Sequence, residues 1–186
     1  KQAEQLMPAS VFIAWSDDRS KVIALALKRR IRTVLQGTEV FVSDVDIAAG
    51  KRWFDHLMSR LSGSTFGILA LTRDNRTKPW LHFETGVMLA ALKEDRRVAP
   101  FLVDDIPVSQ MAGILPQLQA KKADRDGTLA LVRSIREVGN YAIPDEVFEQ
   151  SFADAWPDLA KEIETVRNAP NPGVAKPRRP TDEILE

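Results

Sequence analysis

The sequence predicts an α/β protein: a parallel sheet of four to five strands with helices on both faces, plus a helical extension at the C-terminus. Three observations predict it. Short apolar runs alternate with longer stretches in which apolar residues recur every three or four positions. This alternation implies parallel strands joined by right-handed crossovers. The chain has 186 residues, 44% of them hydrophobic, which suffices for one domain or one domain with an appendage.

The predicted strands are short, apolar and bounded by polar or turn residues. They lie at residues 11–15, 39–43, 65–72 and 97–103, with a weaker fifth near 120–124. The third strand is continuously apolar, which is typical of a strand buried on both faces. Pro100 has no N–H to donate, so its place in the fourth strand predicts an edge position or a bulge.

The predicted helices carry apolar residues at helical spacing, interleaved with charged ones. They span about residues 22–35, 52–61, 79–93, 107–119 and 128–138, the fourth being short. Ser16 and Asp17 are suited to cap the first helix, and Gly37 is suited to follow its end. Pro79 favours the first turn of the third helix, because proline is well tolerated there.

The C-terminal part of the chain is predicted to be helical over residues 144–168, with an apolar stripe that either packs back onto the domain or forms a partner face. Pro157 predicts a kink or a split in this helix. We therefore divide the chain into an N-terminal lead, a domain, a helical extension and a flexible tail or linker. Their bounds are 1–10, 11–140, 144–168 and 169–186.

Composition excludes several classes of function. The chain carries 26 Lys and Arg against 26 Asp and Glu, so it lacks the bulk positive charge that grips nucleic acid or an anionic membrane. The absence of cysteine excludes thiolate metal sites and cysteine nucleophiles. With only His56 and His82, a three-histidine metal site is impossible, and we expect no metal. The sequence shows no apolar run of ~20 residues and no signal peptide, which predicts a cytoplasmic protein.

A ligand site is expected at the carboxyl edge of the sheet, because open parallel α/β sheets bind ligands beyond the carboxyl ends of their strands. Residues 15–20, 43–53 and 73–84 follow three predicted strands and should line a cleft. Neither the G-x-G-x-x-G nor the G-x-x-x-x-G-K-[ST] motif occurs in them. The protein is therefore predicted to be neither a standard dinucleotide-binding dehydrogenase nor a P-loop NTPase.

The most informative local feature is a tryptophan and a glutamate four residues apart. Trp80 and Glu84 lie in the first two turns of a predicted helix, so they share one face. If that face looks into the cleft, an indole and a carboxylate stand side by side. The alternative is that the two residues serve only packing and solvation of an amphipathic helix.

The arrangement of four segments resembles a bacterial Toll/interleukin-1 receptor (TIR) domain. The resemblance covers roughly residues 11–104 and fades through 140. The matching stretches are Val11-Phe12-Ile13-Ala14-Trp15-Ser16, the segment from Val42 to Trp53, the strand from Ser64 to Thr72, and residues 75–86. The family fold is a flavodoxin-like parallel sheet, which agrees with the fold class predicted from the pattern.

The resemblance implies an activity, because many bacterial TIR domains cleave NAD at the bond between nicotinamide and ribose. The family's W-x-x-x-E motif maps onto Trp80 and Glu84, which makes Glu84 the catalytic candidate. NAD would be the substrate, and no cofactor is expected. The products, linear or cyclic ADP-ribose, stay open. A role in prokaryotic immune defence or toxin signalling, with activation by assembly, is the expectation.

Two alternatives remain open at this stage. In the first alternative, the chain is a non-catalytic TIR interaction module. In the second, it is another flavodoxin-like enzyme such as a nucleoside deoxyribosyltransferase relative. The presence of Glu84 with Trp80 favours the NAD-cleaving enzyme. Expected partners are NAD and other TIR domains, including copies of this chain. A larger parent protein or an effector partner is also expected, because the chain begins at Lys1.

Seven residues are predicted to contact the substrate. They are Trp15, Ser16, Asp17, Arg19, Ser43, Asp46 and Trp80. Those after the first strand stand at a helix start, where backbone N–H groups suit a phosphate; the alternative is that Ser16 or Asp17 only caps the helix. For Trp80, stacking on a planar ring and anchoring in the core are equally compatible with the pattern. Lys51 and Arg52 are taken as solvated, with phosphate or a neighbouring subunit as the alternative.

Overall fold

The computed structural model describes residues 8–43, 51–92 and 97–170, with only the backbone for residues 51–54. The strands are β1 (Ser10–Ala14), β2 (Glu39–Val42), β3 (Phe66–Leu71), β4 (Arg97–Leu102) and β5 (Lys121–Lys122). The helices are α1 (Asp18–Val34), α2 (Lys51–Gly63), α3 (Pro79–Ala91), α4 (Arg125–Val138) and α5 (Asp145–Asn168). The predicted α/β class, its strands and its main helices are confirmed.

The five strands form one parallel sheet in the order β2-β1-β3-β4-β5, the flavodoxin-like order. Val11 of β1 pairs with Val40 of β2 on one side and with Phe66 of β3 on the other. The chain therefore moves outward in one direction from β1 to β2 and then crosses back to β3. This reversal leaves a crevice beyond the carboxyl ends of β1 and β3, where ligands bind in such sheets.

Pro100 lies in a paired strand without disrupting the pairing that the strand makes. Val103 donates its N–H to Leu71 of β3, and alternate residues of a strand point their N–H groups to the same side, so the nitrogen of Pro100 faces away from β3. On that side β5 pairs only with Phe101 and Leu102. Among the described residues, no strand therefore pairs with Pro100 on the side of β5, although β3 and β5 flank the strand as a whole.

Two apolar layers cover the sheet. On one face, residues of β1, β3 and β4 pack with buried residues of α1, α4 and α5, among them Ile23, Leu131 and Phe148. On the other face, Phe12 and Leu69 pack with residues of α2 and α3. Gly67 of β3 lets α3 approach closely, because a Cβ there would come within 2.7 Å of the sulfur of Met88. The position of α3 over β3 is what places the candidate site.

The C-terminal helix α5 packs against α1 and closes the first apolar layer. Its buried residues are Phe148, Phe152, Ala155, Leu159, Ile163 and Val166. The helix is continuous from Asp145 to Asn168, so the predicted split at Pro157 is wrong. Because buried residues lie on both sides of the proline, tertiary packing stabilises the helix despite the missing N–H.

The predicted short helix at 107–119 is also wrong. Two separate 3₁₀ turns, Val108–Gln110 and Leu115–Gln117, occupy the segment. Gly113, at φ +61°, lies between them in the left-handed region, and Pro116 falls within the second turn. A single α-helix cannot pass through a residue with that backbone conformation, so the segment is broken into short turns.

Candidate active site

Glu84 lies on the second turn of α3, just beyond the carboxyl end of β3, and is completely buried. The loop that leads from β3 to α3 is shaped by Asn75. Its side-chain oxygen accepts the N–H of Thr72 at 2.8 Å, and its amide donates to the carbonyl of Ala70 at 2.9 Å. Pro79 then supplies the first helical turn with a favourable φ. These local features fix where the helix starts and hence where Glu84 stands.

Three of the predicted site residues meet at this point. The hydroxyl of Ser43 donates to Oε1 of Glu84 at 2.5 Å. The indole N–H of Trp15 donates to the carbonyl of Ser43 at 2.6 Å. The N–H of Ser43 continues the β1–β2 ladder by donating to Ile13 at 2.9 Å. The ends of β1 and β2 are thereby joined to α3 through Glu84.

Trp80 lies one turn before Glu84 and is 3% exposed. Its ring packs 5.4 Å from that of Phe83, with an interplanar angle of 33°. It belongs to the apolar layer formed with Phe12, Leu69 and α2. The geometry is that of a core anchor, which was one of the two alternatives for this residue.

Asp17 caps α1. Its Oδ1 accepts the N–H of Ser20 at 2.6 Å, while the hydroxyl of Ser20 accepts the N–H of Asp17 at 3.0 Å. Its other oxygen accepts from the hydroxyl of Thr72 at 2.7 Å, which ties the helix start to the end of β3. A carboxylate thus stands where a phosphate would meet the helix N-terminus. Asp17 therefore acts as a helix cap, which was one of the two alternatives for this residue. The N–H of neighbouring Ser16 also donates to the hydroxyl of Ser20, at 3.1 Å.

Arg19 is 7% exposed and directs its guanidinium into the protein. It donates to both oxygens of Asp104 at 2.8 and 3.0 Å, to Asp74 at 2.9 Å, and to the carbonyl of Val166 in α5 at 3.1 Å. Burial lowers the pKa of Arg19, but the hydrogen bonds and charges of Asp104 and Asp74 outweigh it and raise that pKa above its ordinary value. The predicted substrate ligand therefore lies in an internal ion-pair network.

Asp104 is the counterpart of Arg19 and was missed by the sequence analysis. It follows β4, and its Oδ2 also accepts the N–H of Arg73 at 2.8 Å. Burial raises the pKa of Asp104, but the hydrogen bonds from Arg19 and Arg73 and their charges outweigh it and hold the pKa below its ordinary value. The sequence signal for Asp104 is its place directly after the fourth predicted strand, at the carboxyl edge of the sheet.

A cleft of about 580 Å³ lies beside this network, at the carboxyl ends of β4 and β5. Its lining combines three basic and three acidic side chains with one leucine. They are Arg73, Lys122, Arg167, Asp104, Asp105, Asp124 and Leu102. Arg167 of α5 donates to the carbonyls of Val103 at 2.5 Å and Ala123 at 3.0 Å, so the end of α5 is fastened to the sheet edge.

Asp46 lies outside the described residues, as do the side chains of Lys51 and Arg52. His82 contacts the carbonyl of Arg76 through Nε2 at 2.9 Å.

Within the described ranges no group of three His, Asp or Glu side chains is placed to hold a metal ion. No helix in the same ranges is long and apolar enough to cross a membrane.

Comparison with protein families identifies the class. The TIR domain profile matches residues 11–131, more than half of the chain, so the chain belongs to the TIR domain family. The match ends within α4 and leaves α5 outside it. No curated protein matches the chain. Among solved structures, the chain is similar to the diflavin flavoprotein A3 from Nostoc sp., at 15% identity and a TM-score of 0.40, over 86% of this chain and 96% of that one.

Proposed function

We propose that this TIR domain cleaves NAD at the bond between nicotinamide and ribose, with Glu84 as the catalytic residue. The observation that supports the proposal is the position of Glu84. It lies in the W-x-x-x-E motif of a TIR domain, beyond the carboxyl end of β3, and a hydroxyl group donates to its carboxylate at 2.5 Å. The crevice between β1 and β3 is where an open parallel sheet binds its ligand.

One carboxylate suffices for this chemistry. Nicotinamide in NAD is a cationic leaving group, so the bond electrons pass to its ring nitrogen and it departs neutral without protonation. Positive charge then grows on the ribose carbon and ring oxygen, as in glycoside cleavage. An ionised Glu84 would stabilise that charge and accept a hydrogen bond from a ribose hydroxyl. Water then attacks the ribose carbon and loses a proton, or an adenine nitrogen attacks and closes a ring.

The other residues have supporting roles in this proposal. Trp80 anchors α3 in the core and so fixes the helix that carries Glu84. Asp17 and Arg19 hold the loops around the crevice through Thr72 and Asp74. TIR domains commonly self-associate, and we propose that assembly of this domain raises its activity, in prokaryotic immune defence or toxin signalling.

The second candidate function is a non-catalytic interaction module. The complete burial of Glu84 favours it, since a catalytic carboxylate must meet its substrate. A module of this kind would bind other TIR domains without consuming NAD. The two candidates differ in a single measurable property, the release of nicotinamide.

Purified protein is incubated with NAD, and nicotinamide and the ribose product are followed by mass spectrometry. The native protein should release nicotinamide, and Glu84→Gln should lower the rate on the order of 10²-fold or more, because it removes a charge that stabilises the transition state. Glu137→Gln, at a glutamate with a 67% exposed side chain, is the matched control and should behave as the native protein. The mass of the product distinguishes linear from cyclic ADP-ribose.

Two results would overturn the proposal. If no nicotinamide is released at high protein concentration with a crowding agent, the interaction module is the better description. If Glu84→Gln releases nicotinamide at the native rate, the catalytic residue is misassigned. Supplying a nucleoside with a free base in place of NAD tests the transferase alternative.

A further inference from the structure

We propose that Ser43 is a positioning residue that acts on the substrate through Glu84, whose carboxylate it orients; this inference rests on the proposed function. Ser43 is 3% exposed and lies at the end of β2. Its hydroxyl donates to Glu84 at 2.5 Å. A donor on one carboxylate oxygen fixes the rotation of the group and favours its charged form.

The backbone of Ser43 is held as firmly as its side chain. Its N–H donates to Ile13 at 2.9 Å, and its carbonyl accepts the indole N–H of Trp15 at 2.6 Å. Trp15 is 5% exposed and packs in the apolar layer with α1. The hydroxyl of Ser43 is therefore anchored to the two adjacent strands β1 and β2, independently of α3. An anchored donor of this kind can impose an orientation on the carboxylate.

The arrangement gives Trp15 and Ser43 a role different from substrate contact. Trp15 fixes the carbonyl of Ser43, and Ser43 fixes Glu84, so three residues from β1, β2 and α3 act in series.

Kinetics of three variants test the proposal. Ser43→Ala should lower kcat about 10–100-fold with KM for NAD within about twofold, because a misdirected carboxylate weakens the transition state more than substrate binding. Ser43→Thr keeps the hydroxyl and should recover most of kcat. The matched control is Ser64→Ala, at a serine 1% exposed that donates to the carbonyl of Arg60 at the other edge of the sheet. It should keep the native kcat.

A thermal unfolding cycle tests the same contact without any activity. Ser43→Ala alone should lower the unfolding midpoint by about 2–4 °C, whereas in the Glu84→Ala background it should lower it no further. Glu84→Leu, which also lacks an acceptor, replaces Glu84→Ala if that variant fails to fold. Non-additivity supports the contact even if the protein releases no nicotinamide, so the two proposals can fail separately.

Two outcomes overturn the positioning role. If Ser43→Ala raises KM and leaves kcat unchanged, Ser43 contacts the substrate instead. If the unfolding shifts of Ser43→Ala and Glu84→Ala simply add, the hydrogen bond does not couple the two residues.

Discussion

Two buried carboxylates lie at the carboxyl edge of the sheet, and different groups hold them. Asp104, after β4, accepts from the guanidinium of Arg19 at 2.8 and 3.0 Å and from the N–H of Arg73 at 2.8 Å. Glu84, on α3, accepts from the hydroxyl of Ser43 at 2.5 Å. The first contact is an ion pair, whereas the second is a hydrogen bond from a neutral group.

The difference separates a contact that holds the fold together from one that suits the proposed chemistry. A guanidinium neutralises the carboxylate that it binds. Because Arg19 of α1 binds Asp104 after β4 and also donates to Val166 of α5, this ion pair fastens the three elements to one another. A hydroxyl favours the ionised form of a carboxylate without cancelling its charge. The contact from Ser43 therefore orients Glu84 without placing an opposite charge on it, which suits the proposed positively charged transition state. Substitutions at Asp104 should therefore lower the stability of the fold, whereas substitutions at Ser43 or Glu84 should mainly lower the proposed activity.

The largest effect on stability is expected at Asp104. Replacing it with alanine removes the bidentate partner of the Arg19 guanidinium, which is 7% exposed, and breaking a buried pair costs about 3–5 kcal/mol. Urea denaturation measures the loss. Asp105→Ala is the matched control, because its side chain is 95% exposed and lies 3.8 Å from Lys122. It should change the free energy of unfolding by less than about 0.5 kcal/mol. A loss below about 1 kcal/mol at Asp104 would contradict a structural role for this pair.

Acid should remove the same contribution. Because the pKa of Asp104 in the folded protein lies below its ordinary value of 3.8, the pair stabilises the fold fully above that value and loses its effect as the pH falls through the folded pKa. The urea midpoints of the native protein and Asp104→Asn should differ most at about pH 6 and converge as the pH falls below 3.8. A difference that stays constant over this range would show that the charge of Asp104 is not what stabilises the fold.

The two regions also show what the sequence can predict. Apolar runs and helical spacing predicted the first four strands and the main helices, because burial of one face or both requires that pattern, whereas the fifth strand is Lys121–Lys122 and was only weakly indicated. The carboxyl-edge rule placed Ser43 and Glu84 at the same edge of the sheet, where the two side chains are in contact. Topology alone determines which segments lie at that edge.

Side-chain direction could not be predicted in the same way. Arg19 was expected to contact the substrate, yet it turns inward to Asp104 and to Val166, which is 147 positions away in the chain. A basic residue at a helix start has the same local sequence in both cases, and only its distant partners decide. For the same reason, the sequence left two alternatives open for Trp80, since an indole on an apolar helix face suits a core and a ring-binding surface equally.

A moderate effect is expected at Trp80, which tests its role as a core anchor of the Glu84 region. Trp80→Phe should lower the free energy of unfolding by about 1–2 kcal/mol, less than the 3–5 kcal/mol typical of removing a whole tryptophan side chain. KM for NAD should stay within about twofold, because the ring is 3% exposed and packs beside Phe83. A rise in KM of about tenfold or more without a loss of stability would indicate that the indole stacks on the substrate.

The smallest effect is expected for an ion pair outside both regions. Arg97 and Glu137 approach to 3.5 Å, but their side chains are 57% and 67% exposed. Water screens such a pair, and holding two long side chains together costs entropy, so a double-mutant cycle of Arg97→Gln and Glu137→Gln should give a coupling energy of about 0–1 kcal/mol. The measurement sharpens the contrast with the pair of Arg19 and Asp104, because both pairs join an arginine to a carboxylate and differ chiefly in burial. A coupling as large as that of the buried pair would mean that charge alone accounts for the stability of the Asp104 region.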